Sequence, residues 1–146
     1  MTGTWFDQYS ARRNKSYYSS RRGDVRTIYC LTEGWGFPAK IGITSSPEAR
    51  WAGLANSTWR PVYLAWTAPG TFDHEAALKY ATEDDRVCGE WIWDGDDAFK
   101  GALVPDSSQA ALERLICRLA EAKGLPAVRT PRPKPAAEGV QHLQPA

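Results

Sequence analysis

The sequence predicts a small α+β domain in which a three-stranded antiparallel sheet is flanked by helices, with an additional C-terminal helix. Three observations lead to this prediction. Two short apolar runs joined by a glycine-rich turn indicate a β-hairpin, and segments with helical signals alternate with further extended segments. Hydrophobic residues make up 42% of the 146 positions, which is typical of globular proteins and sufficient for one domain with its own core.

The predicted hairpin provides the first two strands. Residues 26–32 are rich in β-branched and aromatic side chains, and residues 38–44 form a second run of this kind. The glycines between the two runs favour a tight turn. Because strand residues alternate between faces, Tyr29 lies on one face of the first strand, and Lys40 and Gly42 lie together on one face of the second. The sequence leaves open whether these two faces coincide.

Three helices and two further extended segments are predicted after the hairpin. Residues 45–54 begin with serine, proline and glutamate, which are signals of a helix N-terminus. Residues 61–68 predict a third strand, and residues 71–84 predict a helix with apolar side chains at a four-residue step. The short aromatic segment GEWIW (89–93) follows and is the second segment expected to be extended. Residues 107–123 predict the last helix, with four apolar residues on one face.

The two ends of the chain differ in composition from the middle. Residues 1–25 lack apolar periodicity and predict a basic, flexible N-terminal arm. Residues 125–146 are rich in proline and alanine and predict a flexible tail. Residues 26–104 then form the main domain, and residues 105–124 supply a helix packed on it.

The formal net charge of +1 is unevenly distributed. Between residues 12 and 26, basic side chains are frequent and Asp24 is the single acid. Such a segment either contacts nucleic-acid phosphates or is a solvated leader, and composition weights the two interpretations about equally. The basic residues that are candidates for phosphate contacts are Arg12, Arg13, Lys15, Arg21 and Arg22.

The sequence disfavours several classes of protein. It has neither an apolar stretch long enough to span a membrane nor the apolar segment of a signal peptide, so a cytoplasmic protein without a membrane partner is expected. The three cysteines are widely spaced and the chain has two histidines. Neither a disulfide framework nor a zinc site is therefore expected.

Four side chains are candidates for a phosphate-binding site on this framework. Tyr29 and Lys40 would present a phenol and an ammonium from the hairpin, with Gly42 leaving the backbone open to a ligand. Arg50 follows in the next helix, where its planar guanidinium suits a pair of phosphate oxygens. Glu75 precedes small apolar residues, so it is expected to face the domain, where a carboxylate could bind a divalent cation.

Each candidate also has a plainer explanation. Arg50 could pair with a neighbouring acid, and Glu75 could be a solvated helix residue. Gly42 could simply make room for the following helix. His74, beside Glu75, is expected to be a surface histidine. Glu90, in GEWIW, is as well suited to holding a loop by hydrogen bonds as to contacting a metal.

The order of these residues resembles that of the GIY-YIG nuclease superfamily. The two strand motifs of that family correspond to TIY (27–29) and KIG (40–42). The run KIGITSSPEAR, the glutamate in FDHEAALK and the closing GEWIW are similar to a branch common in phage and other mobile-element proteins. The resemblance covers residues 26–94 and implies a GIY-YIG-like catalytic domain over residues 26–104.

The resemblance implies hydrolysis of DNA phosphodiester bonds with one divalent metal, Mg²⁺ or alternatively Mn²⁺, bound by Glu75. Tyr29 would accept a proton from the attacking water, directly or through a relay. Lys40 would support that role or contact the phosphate, and Arg50 would stabilise the charge that develops on it. A protein partner or a second copy of the chain would serve for targeting.

Three positions depart from the family pattern. Thr27 stands where the first motif has glycine, and Lys40 stands where the second has tyrosine, a change shared by many members of the KIG branch. Lys79 stands four residues after the glutamate, where that branch often has histidine. The alternative hypothesis is therefore a catalytically inactive module that keeps the fold and binds nucleic acid or a protein partner.

Overall fold

The structure is a computed structural model that describes residues 3–13, 24–57 and 61–127. The order of elements is α1 (Trp5–Arg13), β1 (Arg26–Thr32), β2 (Ala39–Thr44), α2 (Pro47–Ser57), β3 (Tyr63–Gly70), α3 (Phe72–Ala81), β4 (Arg86–Cys88), β5 (Trp91–Ile92) and α4 (Gln109–Ala122). The predicted α+β class is confirmed. Among the described residues, no helix is both long enough and apolar enough to cross a membrane.

The strands form one antiparallel sheet of five strands, in the order β3-β1-β2-β5-β4. The predicted three strands are its longer part. The extended segment predicted at residues 89–93 contains β5, whereas β4 and the pairing of β5 with β2 were not predicted. Trp91 and Ile92 of β5 pair with Lys40 and Ala39. Strands of three and two residues are too short to show a period in the sequence.

The register of β1 against β2 determines what each face of the sheet carries. Tyr29 pairs with Gly42, and Leu31 pairs with Lys40. Since directly paired residues point to the same side, these four residues share one face, which we call the site face. Tyr29 and Lys40 therefore do lie on the same face.

The opposite face of the sheet carries the main core. Its strand residues pack with buried side chains of α1, α3 and α4. α4 begins at its N-cap Ser108, whose hydroxyl accepts a hydrogen bond of 3.1 Å from the backbone N–H of Ala111. The predicted last helix is thus confirmed within two residues at each end. The central core residues are Ile28, Cys30, Ile41, Trp66, Ala77, Leu78, Leu112 and Ile116.

Helix α1 lies within the segment predicted to be a flexible arm, so that prediction is wrong for residues 5–13. Phe6 and Tyr9 are buried, with exposed fractions of 5% and 2%. The Phe6 ring stacks on His74 of α3 at a centroid distance of 4.2 Å, and Trp5 stacks on Tyr9 at 5.1 Å. Aromatic packing on the helical layer therefore orders this segment.

Candidate functional site

The phenol of Tyr29 and the guanidinium of Arg50 are in direct contact. Arg50 Nε donates a hydrogen bond of 3.0 Å to Tyr29 Oη across 21 positions of sequence. The contact arises because α2 starts directly after β2 and its first turn lies over the site face. This hydrogen bond raises the pKa of Arg50 above its ordinary value, so the guanidinium remains charged.

Tyr29 is enclosed even though it lies on the site face, and its exposed fraction is 1%. Trp51 packs edge-on against the Tyr29 ring at a centroid distance of 4.9 Å. A Cβ atom on Gly42 would overlap the Oη and Cζ atoms of Tyr29. The prediction that Gly42 leaves the backbone open to a ligand is therefore wrong, because the phenol fills that space. The alternative explanation, that Gly42 makes room for the following helix, is wrong as well, because the atoms nearest to its Cβ position belong to Tyr29 on the neighbouring strand.

Lys40 extends from β2 next to the Tyr29–Gly42 pair. Its Nζ lies 3.7 Å from Glu90 Oε2 and 5.9 Å from the centre of the Trp91 ring. The pairing of β2 with β5 brings Glu90, in the turn before β5, within reach of Lys40. The added strand thus supplies the anionic partner of the lysine.

Glu75 is connected to the site face through Lys79. Lys79 Nζ lies 3.2 Å from Glu75 Oε2, one helical turn earlier, and 3.0 Å from Glu90 Oε1. With the Lys40–Glu90 pair, the four side chains form an ion-pair chain in the order Glu75, Lys79, Glu90, Lys40. The Glu75 side chain is 16% exposed, so it faces the domain as predicted.

The contacts of the ion-pair chain shift the pKa values of Glu90 and Lys79. Partial burial would raise the pKa of Glu90, but the hydrogen bond and charge of Lys79, with the charges of Lys40 and Arg50, hold it below its ordinary value. Partial burial would lower the pKa of Lys79, but its contacts with Glu90 and Glu75 raise it above its ordinary value. Arg50 is thus electrostatically coupled to Glu90, which links the Tyr29–Arg50 pair to the ion-pair chain.

His74 is buried, with an exposed fraction of 3%, so the prediction of a surface histidine is wrong. The backbone N–H of Thr71 donates a 3.0 Å hydrogen bond to Nδ1 of His74, which closes the N-terminal capping box of α3. The other ring nitrogen, Nε2, lies 2.8 Å from Glu113 Oε2 and donates to it. His74 therefore stabilises the start of the helix that carries Glu75.

The basic arm is described only in part. Lys15, Arg21 and Arg22 lie outside the described residues. Arg12 and Arg13 belong to the last turn of α1, and their side chains also lie outside the described part of the chain. The hypothesis that this arm contacts phosphates stays a prediction.

Two carboxylates, those of Glu75 and Glu90, lie close together at the edge of the sheet beside Lys79. Within the described residues there is no group of three or more His, Cys, Asp or Glu side chains placed to hold a metal ion. Glu75 and Glu90 nevertheless approach one position from two sides, that of Lys79 Nζ. Mg²⁺ is usually held by one or two carboxylates with waters completing its shell. The carboxylate pair thus has suitable chemistry, at a place now taken by an ammonium.

A cavity of about 610 Å³ lies beside Trp51 on the site face. Its lining includes Thr27 and Thr44, which pair across β1 and β2, and Thr67, which pairs with Tyr29 from β3. Thr67 is a pairing partner of Tyr29, Thr27 lies two positions before Tyr29 in β1, and Thr44 is the pairing partner of Thr27. All three therefore share the face of Tyr29. A polar ligand bound next to Arg50 therefore has space to extend along the sheet.

No protein-family model matches the chain, and no curated protein or solved structure matches it significantly. What the protein does must therefore be inferred from the site face and the order of its motifs. The contacts of Lys79 with the two glutamates and the pairing of β5 that positions Glu90 are the parts of the site that sequence reasoning missed. The spacing of four residues between Glu75 and Lys79 is the signal that predicts one of these contacts.

Proposed function

We propose that the protein is a metal-dependent endonuclease of the GIY-YIG type that hydrolyses DNA phosphodiester bonds. The observation that carries this proposal is the hydrogen bond between Tyr29 and Arg50. Tyr29 belongs to the first strand motif, and Arg50 to the helix after the second. A site of this type should bring Tyr29, Lys40, Arg50 and Glu75 together. Tyr29 contacts Arg50 and shares a face with Lys40, whereas Glu75 is connected to Lys40 only through Lys79 and Glu90.

The roles of the side chains follow from their surroundings. Arg50 is exposed, so the guanidinium that contacts Tyr29 can also bind a phosphate and stabilise charge that develops on it. Lys40 adds positive charge on the same face. Tyr29 is almost fully enclosed, which favours a relay, in which the phenol passes on a proton from the attacking water, over direct contact with that water.

Glu75 would hold Mg²⁺, or Mn²⁺ in its place, with Glu90 as a second carboxylate. When bound, the metal polarises the scissile phosphate and its leaving oxygen. The contribution of the chain is a pair of carboxylates that converge on one position. The pKa of Glu90 is held low by the surrounding cations, so this carboxylate is ionised at neutral pH.

DNA is the proposed substrate, and the basic arm would add contacts that do not depend on sequence. Targeting to a particular DNA would come from a protein partner or a second copy of the chain. A cytoplasmic location belongs to this proposal, as does a role in a phage or other mobile element, which rests on the motif resemblance.

The second candidate function is a noncatalytic module that binds nucleic acid or a protein partner. The ion pair between Lys79 and Glu75 favours it, because the ammonium lies where the metal of a nuclease would bind. In this function Lys40, Lys79 and Arg50 would contact phosphate without cleaving the strand.

A nicking assay separates the two functions. Purified protein is incubated with supercoiled plasmid or branched DNA in the presence of Mg²⁺ or Mn²⁺. We expect Arg50→Ala to lower the cleavage rate by a factor of about 10² or more and Glu75→Ala to abolish metal-dependent cleavage. The matched controls are Arg114→Ala and Glu121→Ala, which remove exposed charges from α4 and should cleave at the wild-type rate.

Two outcomes would contradict the nuclease proposal. The first is a wild-type protein that nicks neither substrate with either metal. The second is a nicking activity that Arg50→Ala and Glu75→Ala leave unchanged, since the cleavage would then come from another site or from a contaminant. DNA binding without cleavage would support the noncatalytic module.

A further inference from the structure

Lys79 lies between two carboxylates in the way that a bound metal ion does. Its Nζ is 3.2 Å from Glu75 Oε2 and 3.0 Å from Glu90 Oε1. A divalent cation held by the same two side chains would draw their oxygens towards one point. An ammonium and a divalent cation cannot both be there, since they would overlap and repel each other strongly at such short range.

We infer that Lys79 competes with a divalent cation for the position between Glu75 and Glu90, so that metal binds there only when the ammonium moves away. The inference depends on the proposed function for the identity of the cation, Mg²⁺ or Mn²⁺. The ammonium acts as a substitute counter-ion that keeps the two carboxylates together in the absence of metal.

The position of Lys79 allows this exchange. The residue is in the last turn of α3, and its side chain is 35% exposed. Its flexible four-carbon stem allows Nζ to move into solvent while the helix stays in place. The Glu75 backbone is fixed one turn earlier by the hydrogen bond from its N–H to the carbonyl oxygen of Thr71, at 3.2 Å. Lys79 can therefore leave while the carboxylate remains positioned.

The balance of charge around the position favours the ammonium over the metal. The three cations that act on Glu90, which are Lys40, Lys79 and Arg50, outnumber the two carboxylates Glu75 and Glu90. A divalent cation added while Lys79 is present enters a region that is already positively charged. Without the charge of Lys79 the remaining cations and carboxylates balance, and the metal meets less repulsion.

The test measures Mn²⁺ binding directly, with the metal alone and no DNA. Electron paramagnetic resonance of free Mn²⁺ and titration calorimetry both give the dissociation constant. We expect Lys79→Met and Lys79→Gln, two neutral variants, to bind Mn²⁺ at least about ten-fold more tightly than the wild type, equivalent to about 1.4 kcal/mol. Lys79→Arg keeps the positive charge and should bind as weakly as the wild type.

Three results would overturn the inference. The first is equal Mn²⁺ affinity in the wild type and in the neutral variants that melt cooperatively. The second is an equal gain in Lys79→Arg, which would show that the charge is not responsible. The third is a gain that survives when Glu75→Gln is added to Lys79→Met, since the metal would then bind elsewhere.

This measurement is independent of cleavage, so its failure is distinct from failure of the nuclease proposal. Tighter Mn²⁺ binding by the neutral variants, in a protein that never nicks DNA, supports competition by Lys79 and contradicts the nuclease. A wild type that nicks DNA, with neutral variants that bind Mn²⁺ no more tightly, supports the nuclease and overturns the competition.

Discussion

The Tyr29 phenol can lie across β2 because residue 42 has no side chain. Its ring occupies the volume that a Cβ atom on Gly42 would need, and Arg50 holds its oxygen from the other side. Trp51 completes the enclosure. The small residue of the second motif thus acts by positioning the aromatic residue of the first, and a ligand meets Arg50 before it meets the phenol.

Replacing Gly42 by alanine tests this arrangement. The added methyl group overlaps the ring, so Tyr29 must move or β2 must shift, and overpacking of this kind costs about 1–3 kcal/mol. Urea denaturation should show a correspondingly lower free energy of unfolding. Gly53→Ala is the matched control: residue 53 lies in α2 with no atoms near its Cβ position, so alanine should be neutral or stabilising. An unchanged stability of Gly42→Ala would show that Tyr29 does not need this space.

Glu90 gives a second prediction at this scale, through the pH dependence of stability. Its folded-state pKa is below the ordinary value, so the carboxylate stabilises the fold above the unfolded-state pKa near 4.5, and this contribution is lost as the pH falls through the folded-state value. At pH 7, Glu90→Gln should lower the melting temperature by about 2–4 °C, a small effect because the side chain is partly exposed.

The difference between Glu90→Gln and the wild type should shrink as the pH falls through the folded-state pKa of Glu90, since the wild-type carboxylate then becomes neutral as well. Differential scanning calorimetry from pH 3 to pH 7 measures the difference directly. Glu121→Gln, a change at an exposed position of α4, should show no such dependence. A deficit in Glu90→Gln that is constant across this range would mean that the loss is steric and that Lys79 and Lys40 do not stabilise the carboxylate.

The secondary-structure elements differ in how strongly local sequence patterns predict them. β1, β2 and β3 are long enough for β-branched and aromatic residues to mark them, and α2 to α4 carry capping or periodic signals. β4 is too short for either, and β5 is indicated only as part of the aromatic segment 89–93. Helix α1 has neither a clear period nor a long apolar stripe. Its order depends instead on aromatic residues, such as Phe6 and Tyr9, that are buried by tertiary contacts with α3 and α4. Such contacts cannot be read from local sequence.

The site residues likewise differ in how well the sequence predicts their positions. Tyr29, Lys40 and Arg50 were candidates for one site because they lie on or directly after a well-marked hairpin. The sequence left open whether Tyr29 and Lys40 share a face, and the structure shows that they do and that Arg50 reaches the phenol. Glu90 depends on the pairing of β5 with β2, which the aromatic segment 89–93 does not reveal, so its contacts with Lys79 and Lys40 could not be predicted. Local pattern therefore located the phenol, the arginine and Glu75, whereas the strand pairing of β5 determined the position of Glu90.

At the scale of the whole molecule, the packing of α1 changes how the basic arm can be studied. Phe6 and Tyr9 belong to the same core as the sheet. Deleting residues 1–25 would remove part of that core together with the arginines, so a loss of DNA binding would not distinguish charge from folding. The charges must be removed while α1 is kept.

A variant with glutamine at Arg12, Arg13, Lys15, Arg21 and Arg22 keeps the aromatic residues of α1 and removes only positive charge. If the arm binds DNA phosphates, affinity should weaken, and the slope of log K against log salt should fall by about 0.9 for each phosphate that the arm no longer neutralises. Fluorescence anisotropy with a labelled duplex at several salt concentrations gives the slope. Glutamine at Arg114 and Arg118, exposed on α4, is the control and should leave the slope unchanged. Equal slopes for the arm variant and the wild type would place the phosphate-binding residues outside the arm.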